Sequence, residues 1–162
     1  MKYNKTIFTF LLVFTIMINN AQEVFIQGGG TIMDWAHLKK FDEENKKLKK
    51  INELKRVVFM GNSITEGWSN FDKDFFINNP FVNRGISGQT TPQMLIRFRP
   101  DVVNLKPTSV VILAGINDIA GNTGPISLEN TAENIMSMAE IAIANNIKVC
   151  LLYTSDAADD LL

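Results

Sequence analysis

The chain has 162 residues, of which 46% are hydrophobic and 20% charged, with a formal net charge of −1. That is enough apolar material for one ordinary globular domain with a core of its own. A near-neutral balance, with no Lys/Arg cluster on an aromatic-rich stretch, excludes nucleic acid as the main partner.

At the N-terminus, Lys2 and Lys5 precede an apolar run from Ile7 to Ile18, and Ala21 follows two asparagines. A short positive region, a brief apolar region and a small residue at the exit describe a secretory signal peptide. Cleavage is expected near Ala21, with export to the periplasm or beyond. The run is shorter than the roughly 20 residues that span a bilayer, and no Cys follows it, so no stable membrane anchor is expected. Residues 22–33, with Gly28-Gly29-Gly30, read as a flexible mature N-terminus. The triple glycine lacks the strand and spacing of a phosphate loop.

From Asp34 to about Leu54, Trp35, Leu38, Phe41, Leu48 and Ile51 recur at helical spacing, with Asp34 as the expected N-cap. Asp42–Lys46 and Glu43–Lys47 stand four residues apart, which reads as a solvated helix face. Strand and helix patterns then alternate. A strand is expected at Val57–Met60, and a helical segment carries Ile64, Trp68, Phe71, Phe75 and Phe76. A short strand around Phe81-Val82-Asn83 leads to a loop at Gly85–Gln89. Thr90, Thr91 and Pro92 open a helix through Met94, Leu95 and Phe98. Ser109–Leu113 is the clearest buried strand. After a loop at Gly115–Pro125, Ser127 caps a helix through Ile135, Met138, Ala139 and Ala142, closed by Asn145-Asn146. A further strand starts at Ile147-Lys148-Val149. The single Cys150 has no partner for an internal disulfide and reads as a buried strand residue. Continuous apolar strands separated by helices predict an α/β fold, a parallel sheet covered on both faces.

In such a sheet ligands bind beyond the carboxyl ends of the strands. Three polar loops fall there: Gly61-Asn62-Ser63, Asn83 to Thr90, and Ala114 to Asp118. Ser63 follows a strand and opens a helix, where its hydroxyl stands beside free backbone N–H groups. Serine attack on an ester forms a tetrahedral oxyanion, which needs donors at about 2.7–3.1 Å. Ser63 N–H, Gly88 N–H and the Asn117 amide are the three candidates. Glycine at 88 lets the backbone approach a substrate closely. Taken singly, Ser63 reads as a helix N-cap, Asn117-Asp118 as a turn cap and Arg84 as one half of a surface ion pair. Asp118 is expected to accept loop N–H bonds. Thr65 replaces the second glycine of Gly-x-Ser-x-Gly, which disfavours a nucleophile elbow.

Gly61-Asn62-Ser63-Ile64, Asn83 to Thr90 and Gly115-Ile116-Asn117-Asp118 together resemble the three ordered blocks of the SGNH hydrolases, the GDSL-like esterase and lipase family. The resemblance covers about residues 34–149 and implies a flavodoxin-like three-layer α/β/α sandwich. It also implies Ser63 as nucleophile, with Gly88 and Asn117 completing the oxyanion hole, and no metal or cofactor. Asn62 stands where many members have Asp. The family's Asp-x-x-His block has no match here, and the one histidine, His37, reads as an ordinary helix residue.

From about Cys150 the run Cys-Leu-Leu-Tyr-Thr-Ser-Asp-Ala-Ala-Asp-Asp resembles the translation of a sequencing-library adapter. Residues 150–162 are therefore read as a non-native tail, and the natural chain is expected to continue into a last strand, a helix and the histidine block. The function expected from the resemblance is a secreted esterase acting on acyl, chiefly acetyl, esters of oligosaccharides or small molecules. This chain is expected to be inactive for want of a base. A lipid-directed acylhydrolase and a non-catalytic glycan-binding module remain the alternatives, and a redox or nucleotide-binding protein of similar fold is a distant third.

Overall fold

The computed structural model describes residues 34–51 and 55–152. The signal peptide, the segment 22–33 and most of the suspected tail lie outside the described residues.

Four parallel strands form one sheet: β1 (Val57–Gly61), β2 (Phe81–Gly85), β3 (Ser109–Leu113) and β4 (Lys148–Leu151), in the order β2-β1-β3-β4. Helices connect them: α1 (Asp42–Leu48), α2 (Ser63–Phe71), α3 (Lys73–Ile77), α4 (Thr91–Asp101), α5 (Ile116–Ile119) and α6 (Leu128–Ala144), with a 3₁₀ turn at Val103–Leu105. The alternation of side chains along each strand sorts the core into two layers. Val58, Met60, Val82, Val110 and Ile112 face one way and bury against Met94 and Phe98 of α4 and Met138 and Ala142 of α6. Phe59 faces the other way, edge-on to Trp68, Phe75 and Phe76 at centroid separations of 5.5, 5.7 and 5.4 Å. Edge-to-face geometry of this kind suits the ring quadrupoles and adds to the burial of large apolar surface.

Helix starts follow their caps. Asn62 Oδ1 accepts from Ile64 N–H at 3.0 Å, Asp72 from Phe75 N–H at 3.1 Å and Ser127 from Asn130 N–H at 3.1 Å. The Gln93 side chain reaches back to Thr90 N–H at 3.1 Å at the head of α4.

Several expectations change. The long helix from Asp34 is a run of turns followed by the short α1. Asp34 binds Leu38 and Lys39 N–H groups at 2.7 and 2.8 Å instead of opening a helix. His37 has φ +56°, a left-handed conformation that a helix cannot contain. The loop Gly115–Pro125 encloses the single-turn α5. Arg84 is fully buried instead of lying at the surface, although it does form an ion pair, with the exposed Glu44 at 3.1 Å. Cys150 is exposed rather than buried, because α2 and α3 cover only the β1–β2 half of their face. Among the described residues, that face is covered over β1 and β2 and more open over β3 and β4. β4 runs through Cys150 and Leu151 into the segment read as a foreign tail, pairing them with Val111 and Ile112.

Candidate active site

The strand order places a switch point between β1 and β3, whose connections leave toward opposite edges of the sheet. Gly61 pairs in register with Gly85 on one side and Leu113 on the other. The loops that follow these three residues therefore emerge together at one edge. They carry Ser63, Gly88 and Asn117.

Ser63 is the first residue of α2 and is exposed. Capping is done by Asn62, which is 1% exposed, so the Ser63 hydroxyl is left unengaged by that task. Among the described residues, Asn62 Nδ2 is the one buried side-chain polar atom without a hydrogen-bond partner. The tight entry to α2 rests on two glycines. A Cβ on Gly61 would lie 2.1 Å from Thr65 Oγ1, and one on Gly85 would lie 2.1 Å from Glu66 N. The turn that carries Ser63 thus sits directly on the backbone of β2.

Gly88 lies in an exposed turn with φ +76°, a conformation costly for any side chain. Its carbonyl accepts from Asn122 Nδ2 at 3.0 Å. Asn117 donates Nδ2–H to the carbonyl of the next residue, Gln89, at 2.9 Å. That bond brings the Asn117 amide to the Gln89–Thr90 peptide, one residue beyond Gly88, and leaves its second hydrogen for a ligand. Asp118 accepts Thr91 N–H at 3.0 Å and Thr91 Oγ1–H at 2.6 Å, anchoring α5 to the N-terminus of α4 as the sequence led us to expect.

Sequence reasoning missed the supports beneath these loops. Arg97, fully buried in α4, donates to Gly61 O at 3.1 Å, Arg84 O at 2.9 Å, Asp101 Oδ2 at 3.0 Å and the Gln89 side chain. One guanidinium thereby ties the end of β1, the end of β2 and the Gly88 loop. Desolvation lowers its pKa to about 10 against the opposing pull of Asp101, so it stays charged at neutral pH. Arg84 bonds Asn45 Oδ1 at 2.8 Å and Glu44 at 3.1 Å and lies over the Phe41 ring at 4.5 Å. Asn45 Nδ2 in turn donates to Asp101 at 2.7 Å. Only the placement of these residues, in a strand and in the middle of a helix among apolar neighbours, hinted at burial.

Glu66, one turn beyond Ser63, accepts from Lys40 Nζ, from Ser87 N–H at 2.7 Å and from the Ser87 hydroxyl. Burial works against its charge, but the Lys40 and Ser87 hydrogen bonds outweigh it and lower the carboxyl pKa to about 2. His37 stands in its turn with no hydrogen bond to Ser63 among the described residues.

A serine, a left-handed glycine turn and an asparagine amide thus stand at the switch point of a parallel α/β sheet. Residues 59–160 match the model of the GDSL-like Lipase/Acylhydrolase family, and the chain belongs to that family. The match runs across the segment read as a foreign tail. The fold is similar to that of a GDSL-like lipase from Bacteroides thetaiotaomicron VPI-5482, 55% identical with a TM-score of 0.69 over 72% of this chain and 57% of that one. The acetyl xylan esterase AlAXEase shares the fold alone, at 22% identity and TM-score 0.52 over 59% of this chain and 56% of that one. An uncharacterized lipoprotein, YqeF, of Bacillus subtilis (strain 168) is 35% identical over 78 residues, 46% of this chain and 32% of its own length. The chain thus spans a little over half the length of the structures it matches and about a third of that lipoprotein. No helix among the described residues is long and apolar enough to cross a membrane.

Proposed function

We propose that these residues form the acyl-binding half of an exported serine esterase that cleaves short acyl, chiefly acetyl, esters carried on carbohydrate. In that reaction Ser63 Oγ adds to the acyl carbonyl carbon and loses its proton to a base. The carbonyl oxygen becomes an oxyanion held by Ser63 N–H, Gly88 N–H and the Asn117 amide. Collapse expels the sugar hydroxyl, and water then cleaves the acyl-enzyme. The observation that carries this reading is the Asn117–Gln89 bond, which gathers two of the three donors on one loop at the edge where Ser63 stands exposed.

The substrate class follows the acetyl xylan esterase AlAXEase, whose fold this chain shares. Chemical-shift mapping tests it on the chain as it stands. Acetylated xylo-oligosaccharides are expected to shift the Ser63, Gly88 and Asn117 amides, and their deacetylated counterparts to do so far less. Preferential response to a lysophospholipid would move the assignment to lipid esters.

The 162 residues hold one histidine, His37, and among the described residues it makes no hydrogen bond to Ser63. Without a base the serine is barely activated, and triad removal in other serine hydrolases leaves only about 10³–10⁴-fold over water. This chain is therefore expected to be essentially inactive. Rapid turnover of 4-nitrophenyl acetate that Ser63→Ala abolishes would contradict that. A second reading, a glycan-binding module that does no chemistry, gains support only if the full gene lacks the Asp-x-x-His block. Binding undiminished in Ser63→Ala, with no turnover by either form, supports that module over the esterase.

A further inference from the structure

We infer that Glu66 is a positioning residue that sets the Gly88 N–H as an oxyanion donor by clamping Ser87 to the helix that carries Ser63. The inference rests on the proposed role of Gly88 and adds to it a residue with no part in proton transfer.

Three observations carry it. First, the carboxylate divides its oxygens: Oε1 takes the Lys40 ammonium, and Oε2 takes both the backbone N–H and the hydroxyl of Ser87. A carboxylate accepting a backbone N–H makes a charge-assisted bond, stronger than a neutral one. Second, the peptide that carries the Gly88 N–H is bracketed. Glu66 fixes the N–H just before it, and Asn122 fixes the carbonyl just after it at 3.0 Å. Gly88 itself has no side chain and a positive φ, so its orientation must come from its neighbours. Third, Glu66 lies three residues after Ser63 on α2, hence on the same helix face. Nucleophile and donor loop are thus held in one frame, where an error of about 1 Å can cost about 100-fold in rate. Fold stability explains the arrangement less well. Glu66 and Lys40 side chains are 32% and 34% exposed, and ion pairs so exposed contribute little.

Backbone ¹⁵N relaxation on the 162-residue chain tests the clamp without any need for turnover. Gly88 is expected to be rigid in the wild type, with an order parameter near 0.85, and to fall below about 0.6 in Glu66→Ala. Glu66→Gln, which keeps a carbonyl oxygen for Ser87, should restore the order. Lys40→Ala, which removes the ion pair alone, should leave Gly88 rigid. Ser87→Ala deletes only the hydroxyl arm and should loosen Gly88 to a smaller degree, a second variant should Glu66→Ala lose its dispersed spectrum. Gly88 unchanged in both Glu66→Ala and Ser87→Ala would overturn the inference, as would equal loosening in Lys40→Ala. Phenylboronic acid, a mimic of the tetrahedral intermediate, reads the consequence, with affinity about tenfold lower in Glu66→Ala. Failure of the wild type to bind it would count against the serine site itself, while the relaxation data would still decide the clamp.

Discussion

Asn62 does two things at once: it caps α2, and it buries an amide hydrogen with no acceptor. Removing the cap should cost about 1 kcal/mol, so Asn62→Ala is expected to lower Tm by a few degrees. Asn62→Asp keeps the acceptor, removes the orphan donor and places a negative charge at a helix N-terminus. Its thermal unfolding should match or exceed the wild type, and a drop as large as that of Ala would refute the capping account. Glu66 makes a second prediction at this scale. Its folded pKa of about 2 lies below the ordinary value of 4.5. The stability it contributes is present above about 4.5 and is lost as pH falls toward 2. Denaturant titrations across that window should therefore show a shallower pH slope in Glu66→Ala. Single residues were the most legible level of the site. Ser63, Gly88 and Asn117 were candidates from residue type and block order alone, and the loops that carry them follow neighbouring strand ends. Asn62 as cap and Glu66 as clamp could not be read that way, since each depends on a partner that only the folded chain brings close.

At the scale of elements, the site depends on how tightly α2 seats on the sheet. Gly85→Ala would put a methyl group 2.1 Å from Glu66 N and 2.6 Å from Glu66 Cα, both backbone atoms of α2. Neither can give way without moving the helix. The expected result is a loss of about 3 kcal/mol or more, measured by chemical denaturation. Wild-type stability would mean that α2 sits farther from β2 than described. The strands were legible because each reads as a short continuous apolar run, and Ser109–Leu113 matched β3 residue for residue. The segment from Asp34 was misread because its turns space Trp35, Leu38 and Phe41 as a helix would. The Asp34 carboxylate takes N–H groups that a helix would have bonded internally, and His37 reverses the backbone. Periodicity alone could not separate those cases.

For the molecule as a whole, one buried polar network joins α1, α4, β1, β2 and the Gly88 loop through Arg84, Arg97, Asn45, Asp101 and Gln89. Removing one partner of a buried ion pair leaves an unpaired charge and costs about 3–5 kcal/mol. Arg97→Ala should accordingly lower stability by that amount, seen in urea unfolding, and should loosen the loops after β1 and β2 together. A loss under about 1 kcal/mol would show that the network is dispensable. The sheet face over Val111 and Cys150 is open, and Leu151 and Leu152 remain partly exposed beside the Asn117 loop. Network and open face were both illegible in the sequence. Arginines in a strand and a helix look like surface charge until packing encloses them, and which half of a face the helices cover depends on where each helix lands.

The central claim is that Ser63, Gly88 and Asn117 form one site for a tetrahedral acyl intermediate. Boron-11 NMR with phenylboronic acid at neutral pH tests it most directly. The account predicts a tetrahedral boron signal that Ser63→Ala abolishes and that Asn117→Ala weakens at least tenfold, in line with the roughly 100-fold or greater effect of losing one oxyanion donor. No tetrahedral signal, or one that survives Ser63→Ala, would contradict it.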